Sequence, residues 1–231
     1  MPRRLVVFAV IQALALSGCR EGITRAISAT VLSARGQIEF AESGSTNFRP
    51  LAGDTPLRIG TTLRTSSDGE VNLLLVPGAL ARISANSEMQ IRQLLIAKDG
   101  NETGEAIRDR RALLELHQGK MVVLFEGFAR FNINTPAVGV TVLPSCLFSL
   151  DVDQTRTRLT CVRGIVRVRA GNGSTESVAA GYFREWPSPN DKVRSASEDF
   201  RAEEDRISAL MAASKLEELD STQRNRLPIK R

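Results

Sequence analysis

The chain is poor in the side chains that do most chemistry. Among 231 residues there are three cysteines, one histidine, one tryptophan and one tyrosine. A single histidine, His117 in "LELHQGK", leaves a nucleophile–base–acid triad to be assembled from residues whose proximity a sequence does not reveal. The plainer reading of His117 is a strand or surface residue. No His/Cys/carboxylate cluster has metal-ligand spacing, and no GxxxxGK[ST] phosphate loop is present. Asp151 and Asp153 in "DVD" lack the further oxygen ligands of a calcium loop and fit a hairpin end. We therefore expect no enzyme, no cofactor and no metal. Aromatic residues make up 5% of the chain, which disfavours sugar stacking without removing a glycan-binding reading. Beyond the first twenty residues no apolar run approaches the 18 needed to span a bilayer. Charge is mild at +5, too little to argue for nucleic acid.

The beginning is more informative. "MPRR" precedes the apolar run Leu5–Leu16, about 18 Å of helix at 1.5 Å per residue, which is short of a ~30 Å bilayer core. A basic head, a short apolar run and small residues at its end form the layout of a secretory signal peptide. Leu16-Ser17-Gly18-Cys19 resembles a bacterial lipobox. The resemblance implies cleavage before Cys19 and acylation of its sulfur and new amino group; the alternative is an ordinary signal peptide with an incidental cysteine. Arg20, not Asp, follows, which by the enteric sorting rule implies the outer membrane, facing the periplasm. Two or more acyl chains anchor stably where one does not. Removing residues 1–18 takes Arg3 and Arg4 and leaves a charge of about +3. Residues 19–29 then read as a tether.

Cys146 and Cys161 remain. In an oxidising compartment an even pair suggests a disulfide. "CLFSLDVDQTRTRLTC" reads as two alternating strands about Asp153-Gln154. A two-residue turn there pairs Val152 with Thr155, Phe148 with Leu159 and Cys146 with Cys161, within reach of a bond. Two buried free thiols are the alternative.

From Ala29 to Trp186 period-two runs dominate: "ATVLSA", "GQIEF", "EVNLLLV", "ALARIS", "EMQIRQLL", "ALLELHQ", "KMVVLF", "RFNINT", "LFSLDV", "TRLTCV", "IVRVRA". Glycine punctuates them at Arg35-Gly36, Asp68-Gly69, Pro77-Gly78, Gln118-Gly119 and Arg163-Gly164, read as turns. The glycine spacing is irregular, so this is not a fixed-period array. The expectation is a mainly β domain of stacked antiparallel hairpins, a sandwich or solenoid-like roll. Residues 97–112 are charged and read as a long exposed loop, either solvated or a binding element. Pro187 and Pro189 end the β region. From Ser197, read as the N-cap, the pattern is helical, with Phe200, Ile207, Leu210, Met211 and Ser214 along one stripe. That stripe either packs on the β domain or docks a partner.

Residues 30–186 resemble the FecR domain, a periplasmic β module. The most specific stretch is "FRPLAGDTPLRIGTTLRTSSDGEVNLLL": Leu51, Gly53-Asp54, Leu57-x-x-Gly60, Leu63-x-Thr65 and Asp68-Gly69 match the family's spacing. "PGALARISANSEMQI", "LLELHQGKMVV", "FNINTPAVGVTV", "TRLTCVRGIVRVRA" and "SVAAGYF" follow in order. One departure is local: where the family has Arg-Gly-Thr, this chain has Pro144-Ser145-Cys146, so a cysteine replaces the threonine. Another is architectural: the signalling members resemble anti-sigma regulators with a transmembrane helix. The implied organisation is a signal peptide at 1–18, a tether at 19–29, a FecR-like domain at 30–187, and a linker with an amphipathic helix at 188–231. The implied role is a binding or scaffold module fastened to the envelope through lipid, with an envelope protein as partner or, alternatively, peptidoglycan or another glycan.

Overall fold

The structure, a computed structural model, describes residues 23–98, 107–127, 130–188 and 192–226. The strands are β1 (Ile23–Ala26), β2 (Thr30–Arg35), β3 (Ile38–Ala41), β4 (Arg49–Pro50), β5 (Thr62–Thr65), β6 (Glu70–Val76), β7 (Ala79–Ile83), β8 (Glu88–Lys98) and β9 (Ile107–Phe125). They continue as β10 (Arg130–Asn134), β11 (Val138–Val142), β12 (Cys146–Val152), β13 (Thr157–Arg163), β14 (Ile165–Ala170), β15 (Thr175–Ala179), β16 (Tyr182–Trp186) and β17 (Arg194–Ser195). Among the described residues one helix, α1 (Phe200–Arg226), follows a single 3-10 turn.

The mainly β expectation holds. All described strands join one hydrogen-bonded network, which rolls into two layers without closing. The first layer holds β1, β8, the N-terminal half of β9, β10, β11, β14 and β15, with β3, β4 and β5 attached beyond β8. The second holds β2, β6, β7, the C-terminal half of β9, β12, β13, β16 and β17. Inward side chains of both layers make one core. Phe125 on the second layer meets Phe131 on the first edge-on, with ring centroids 5.8 Å apart and both side chains fully buried.

The glycine steps mostly turn corners between layers. Arg35-Gly36 takes β2 to β3, Asp68-Gly69 leads from β5 to β6, and Arg163-Gly164 takes β13 to β14; each pair lies in different layers. Pro77-Gly78 is a true hairpin between β6 and β7. Gln118-Gly119, read as a turn, lies inside the continuous strand β9 and bends it from one layer into the other. Gly119 has φ +89°, and a Cβ there would stand 2.2 Å from the Ser87 hydroxyl oxygen and 2.5 Å from its Cα. Neither the conformation nor the space admits a side chain. This bend lets β10 pair in parallel with the first half of β9, the one parallel pairing among the described strands.

Three boundaries differ from the sequence reading. Residues 23–26 of the predicted tether form β1, paired with β8. Both ends of the predicted 97–112 loop are strand, because β8 runs to Lys98 and β9 starts at Ile107; residues 99–106 lie outside the described residues. The helix is capped by Asp199, not Ser197: its carboxylate accepts the Ala202 N–H at 3.0 Å.

The central strands of layer two are buried on both faces. β12 and β7 have nearly continuous burial, whereas β11 and β14 of layer one alternate. The cover is α1, which sets Ala209, Ala212, Ala213 and Leu216 against Leu80, Val122, Leu124 and Leu147. Alanines let the helix approach closely, and a second contact joins Ala202 to Phe183 and Ala196.

Candidate functional site

Docking of α1 is directed by charge as well as packing. Register places Lys120 (β9), Asp151 (β12), Arg158 (β13) and Glu185 (β16) in one row on the outer face of layer two. Their signs alternate, so each neighbour across a strand is a counter-ion. The Arg158 Nε–H donates to Glu185 at 2.8 Å. From the helix side, Asp205 meets Lys120 Nζ at 2.5 Å, and Asp199 lies 3.9 Å from Arg158. Asp205 is 6% exposed, and its ion pair fixes the rotation of the N-terminal half of α1. Burial pushes the Asp151 carboxyl above its ordinary value, and the nearby Asp205 charge adds to this.

With that face turned inward, the stripe read from the sequence points to solvent. Phe200 is 84% exposed, Met211 70%, Ile207 48% and Leu210 44%. The sequence offered packing and docking for these residues. The packing is done instead by the opposite, alanine-rich face. Glu203 and Glu218 on the outer side pair with Arg206 and Lys215. Glu204 and Glu217 form no ion pair among the described residues.

The cysteine hairpin folds in a different register. Val152 faces Thr157, Leu150 faces Leu159 and Phe148 faces Cys161, while Cys146 lies beside Phe125 of β9. The loop is four residues, Asp153 to Arg156, because Asp153 accepts the Thr155 and Arg156 N–H groups at 2.7 Å and caps a wider turn. Those hydrogen bonds hold the Asp153 carboxyl below its ordinary value. Cys146 and Cys161 are therefore not directly opposite, and both are buried free thiols. Their Sγ atoms gather near the Arg163-Gly164 corner, Cys146 Sγ 3.0 Å from the Ile165 carbonyl and Cys161 Sγ 3.5 Å from that of Gly164. Burial raises both thiols, that of Cys161 to about 12. The neighbouring Ser145, where the resemblance places glycine, has φ +59°.

His117 sits at the surface end of the first half of β9, its Nε2 3.9 Å from Glu115. Among the described residues no group of three or more His, Cys, Asp or Glu could hold a metal, and no helix is long and apolar enough to cross a membrane. Leu16, Ser17, Gly18 and Cys19 lie outside the described residues.

Residues 61–167 match the family model of the FecR protein. The chain carries a FecR domain. The match lies within the 30–186 span that resembles the family, and it takes in the β9 bend and the cysteine hairpin. A crystal structure of a "putative anti-sigma factor" from Parabacteroides distasonis ATCC 8503 is 14% identical, with a TM-score of 0.42, over 58% of this chain and 57% of that one. A second crystal structure of the same description and organism is 13% identical, with a TM-score of 0.41 and the same coverage. The FecR-bearing chain thus spans less than two thirds of either. No curated protein matches it.

Proposed function

We propose that this chain is a lipid-anchored envelope protein whose FecR domain serves as a protein-docking platform, not as an enzyme or a transmembrane anti-sigma relay. The observation that carries this reading is the outward stripe of α1. A helix already held by one face has no folding reason to expose Phe200, Ile207, Leu210 and Met211 on the other. Contiguous exposed apolar surface marks interaction sites. The rim is acidic at Glu204 and Glu217, so the partner presents an apolar helix or groove with basic edges. Acylated Cys19 would hold β1, four residues further on, close to a bilayer, with the outer membrane the destination that Arg20 favours.

Affinity purification from solubilised membranes tests the docking. Wild type should retain a discrete envelope protein that an Ile207→Asp, Met211→Asp double variant loses while melting like wild type. Identical retention by both would overturn the platform reading. Labelled palmitate should enter wild type and not Cys19→Ser; labelling of both, or of neither, would overturn the anchor.

A further inference from the structure

The outer face of layer one, on the side of the molecule opposite α1, carries a cationic groove. On β11, Gly139 and Thr141 face outward between buried Val138, Val140 and Val142. Register aligns Asn132, Thr141 and Arg167 in one row across β10, β11 and β14, and Asn134, Gly139 and Arg169 in the next. Thr175 of β15 ends the second row. Two adjoining depressions, of about 470 and 580 Å³, share Asn134, Gly139 and Arg169. Among the described residues, neither is lined by an acidic or aromatic side chain. Gly139 forms the floor: a Cβ there would meet only the Asn134 side-chain oxygen, at 3.5 Å, so the space above it is open.

The groups lining the groove are available. Arg167 and Arg169 are exposed and make no hydrogen bond or ion pair among the described residues. The Thr141 hydroxyl donates to Asn132 Oδ1 at 2.9 Å, which leaves the Asn132 amide N–H groups free to donate. On β9 the second row ends at Glu115, the register partner of Asn134, whose carboxylate is occupied by Arg92 at 2.8 Å. Guanidinium, amide and hydroxyl groups together suit carboxylates interspersed with hydroxyls. An extended peptide draws affinity from backbone pairing at a sheet edge. Here β10, β11, β14 and β15 are paired with one another, so a peptide lying on this face would find only side chains. A flat bilayer surface does not reach the Gly139 floor.

We infer that the Asn132–Thr141–Arg167 and Asn134–Gly139–Arg169 rows form a binding groove for a linear acidic glycan, with Arg167 and Arg169 pairing its carboxylates. Lying across β9, β10, β11, β14 and β15, the ligand would span about 19 Å, four strand spacings. This site is independent of the α1 stripe, and each can fail alone.

The test is calorimetric titration of the full chain in mild detergent with an oligouronate. Parallel arms use the same oligomer with its carboxyls reduced, polyglutamate, and phosphatidylglycerol vesicles. Oligouronate should bind, and at least tenfold more weakly to Arg167→Gln, Arg169→Gln and Gly139→Val, with Arg163→Gln unchanged. All four variants should melt like wild type, because the arginines are exposed and Gly139 has room for a side chain. Should one of them melt lower, Arg169→Glu, which reverses the charge without entering the core, must still abolish binding. No oligouronate binding, equal binding of the reduced oligomer, equal or tighter binding of polyglutamate or vesicles, or variants that bind like wild type would overturn the proposal.

Discussion

Replacing Leu216 and Met211 by alanine, one at a time, distinguishes the two faces of α1. Leu216 is fully buried against Leu80, Val122, Leu124 and Leu147. Truncation to alanine removes about three methylene equivalents at roughly 0.8 kcal/mol each. A residual cavity adds to this, bringing buried Leu→Ala changes to about 2–5 kcal/mol. A helix resting on a sheet can settle into part of the gap, so we expect about 3 kcal/mol here. For a chain of this size that is a fall in Tm of about 6–12 °C. Met211, 70% exposed, should cost no more than about 0.5 kcal/mol. Urea denaturation followed by circular dichroism measures both. Amide exchange along α1 shows whether Leu216→Ala loosens the helix before the β layers melt. If Met211→Ala proves the more destabilising, the helix packs through the stripe read from sequence, and the inward alanine face is wrong.

Other substitutions probe the row of charges and the cysteine corner. Asp151→Asn should stabilise the chain at pH 7: burial raises the folded carboxyl above its ordinary 3.8, so wild type loses stability as pH rises through the folded value. The gap between the two proteins should close below about pH 3.8; a variant less stable than wild type at pH 7 would show that Lys120 and Arg158 outweigh desolvation. Ser145→Gly should raise stability by about 0.5–1 kcal/mol, the relief of a left-handed residue less the entropy of glycine; a loss in urea denaturation would contradict this. With protein purified under reductant, iodoacetamide at pH 8 should leave both thiols unmodified in the folded chain and label both in urea, and native labelling of Cys161 would refute its burial. Peptide mapping of the exported protein without reductant tests the bridge expected from sequence.

Much of the β fold was legible because layer one obeys simple alternation. "VGVTV" and "IVRVRA" show one wet and one buried face, as β11 and β14 do. Less legible was the second cover. "LLLV" and "MVVLF" are apolar at successive positions, the signature of a strand buried on both sides, and they lie beneath or beside α1. That signal could have pointed to the alanines of the helix as the inward face, since small residues are what a close helix-on-sheet contact needs. The larger Phe200, Ile207, Leu210 and Met211 draw the eye by hydrophobicity alone. The hairpin register was missed for a local reason: Asp153 side-chain hydrogen bonds stabilise a four-residue loop where spacing alone permits two. Gly119 reads as a turn because positive φ is common to turns and to bends, and only the pairing of β9 with four different strands distinguishes them.

The most direct test of the platform is photo-crosslinking in living cells, with a photoreactive residue at position 211 and, for comparison, at position 216. Position 211 should give a discrete partner adduct that disappears with Ile207→Asp, and position 216, which faces the sheet, should give none. Adducts from 216 and not 211, or from neither, would contradict the platform.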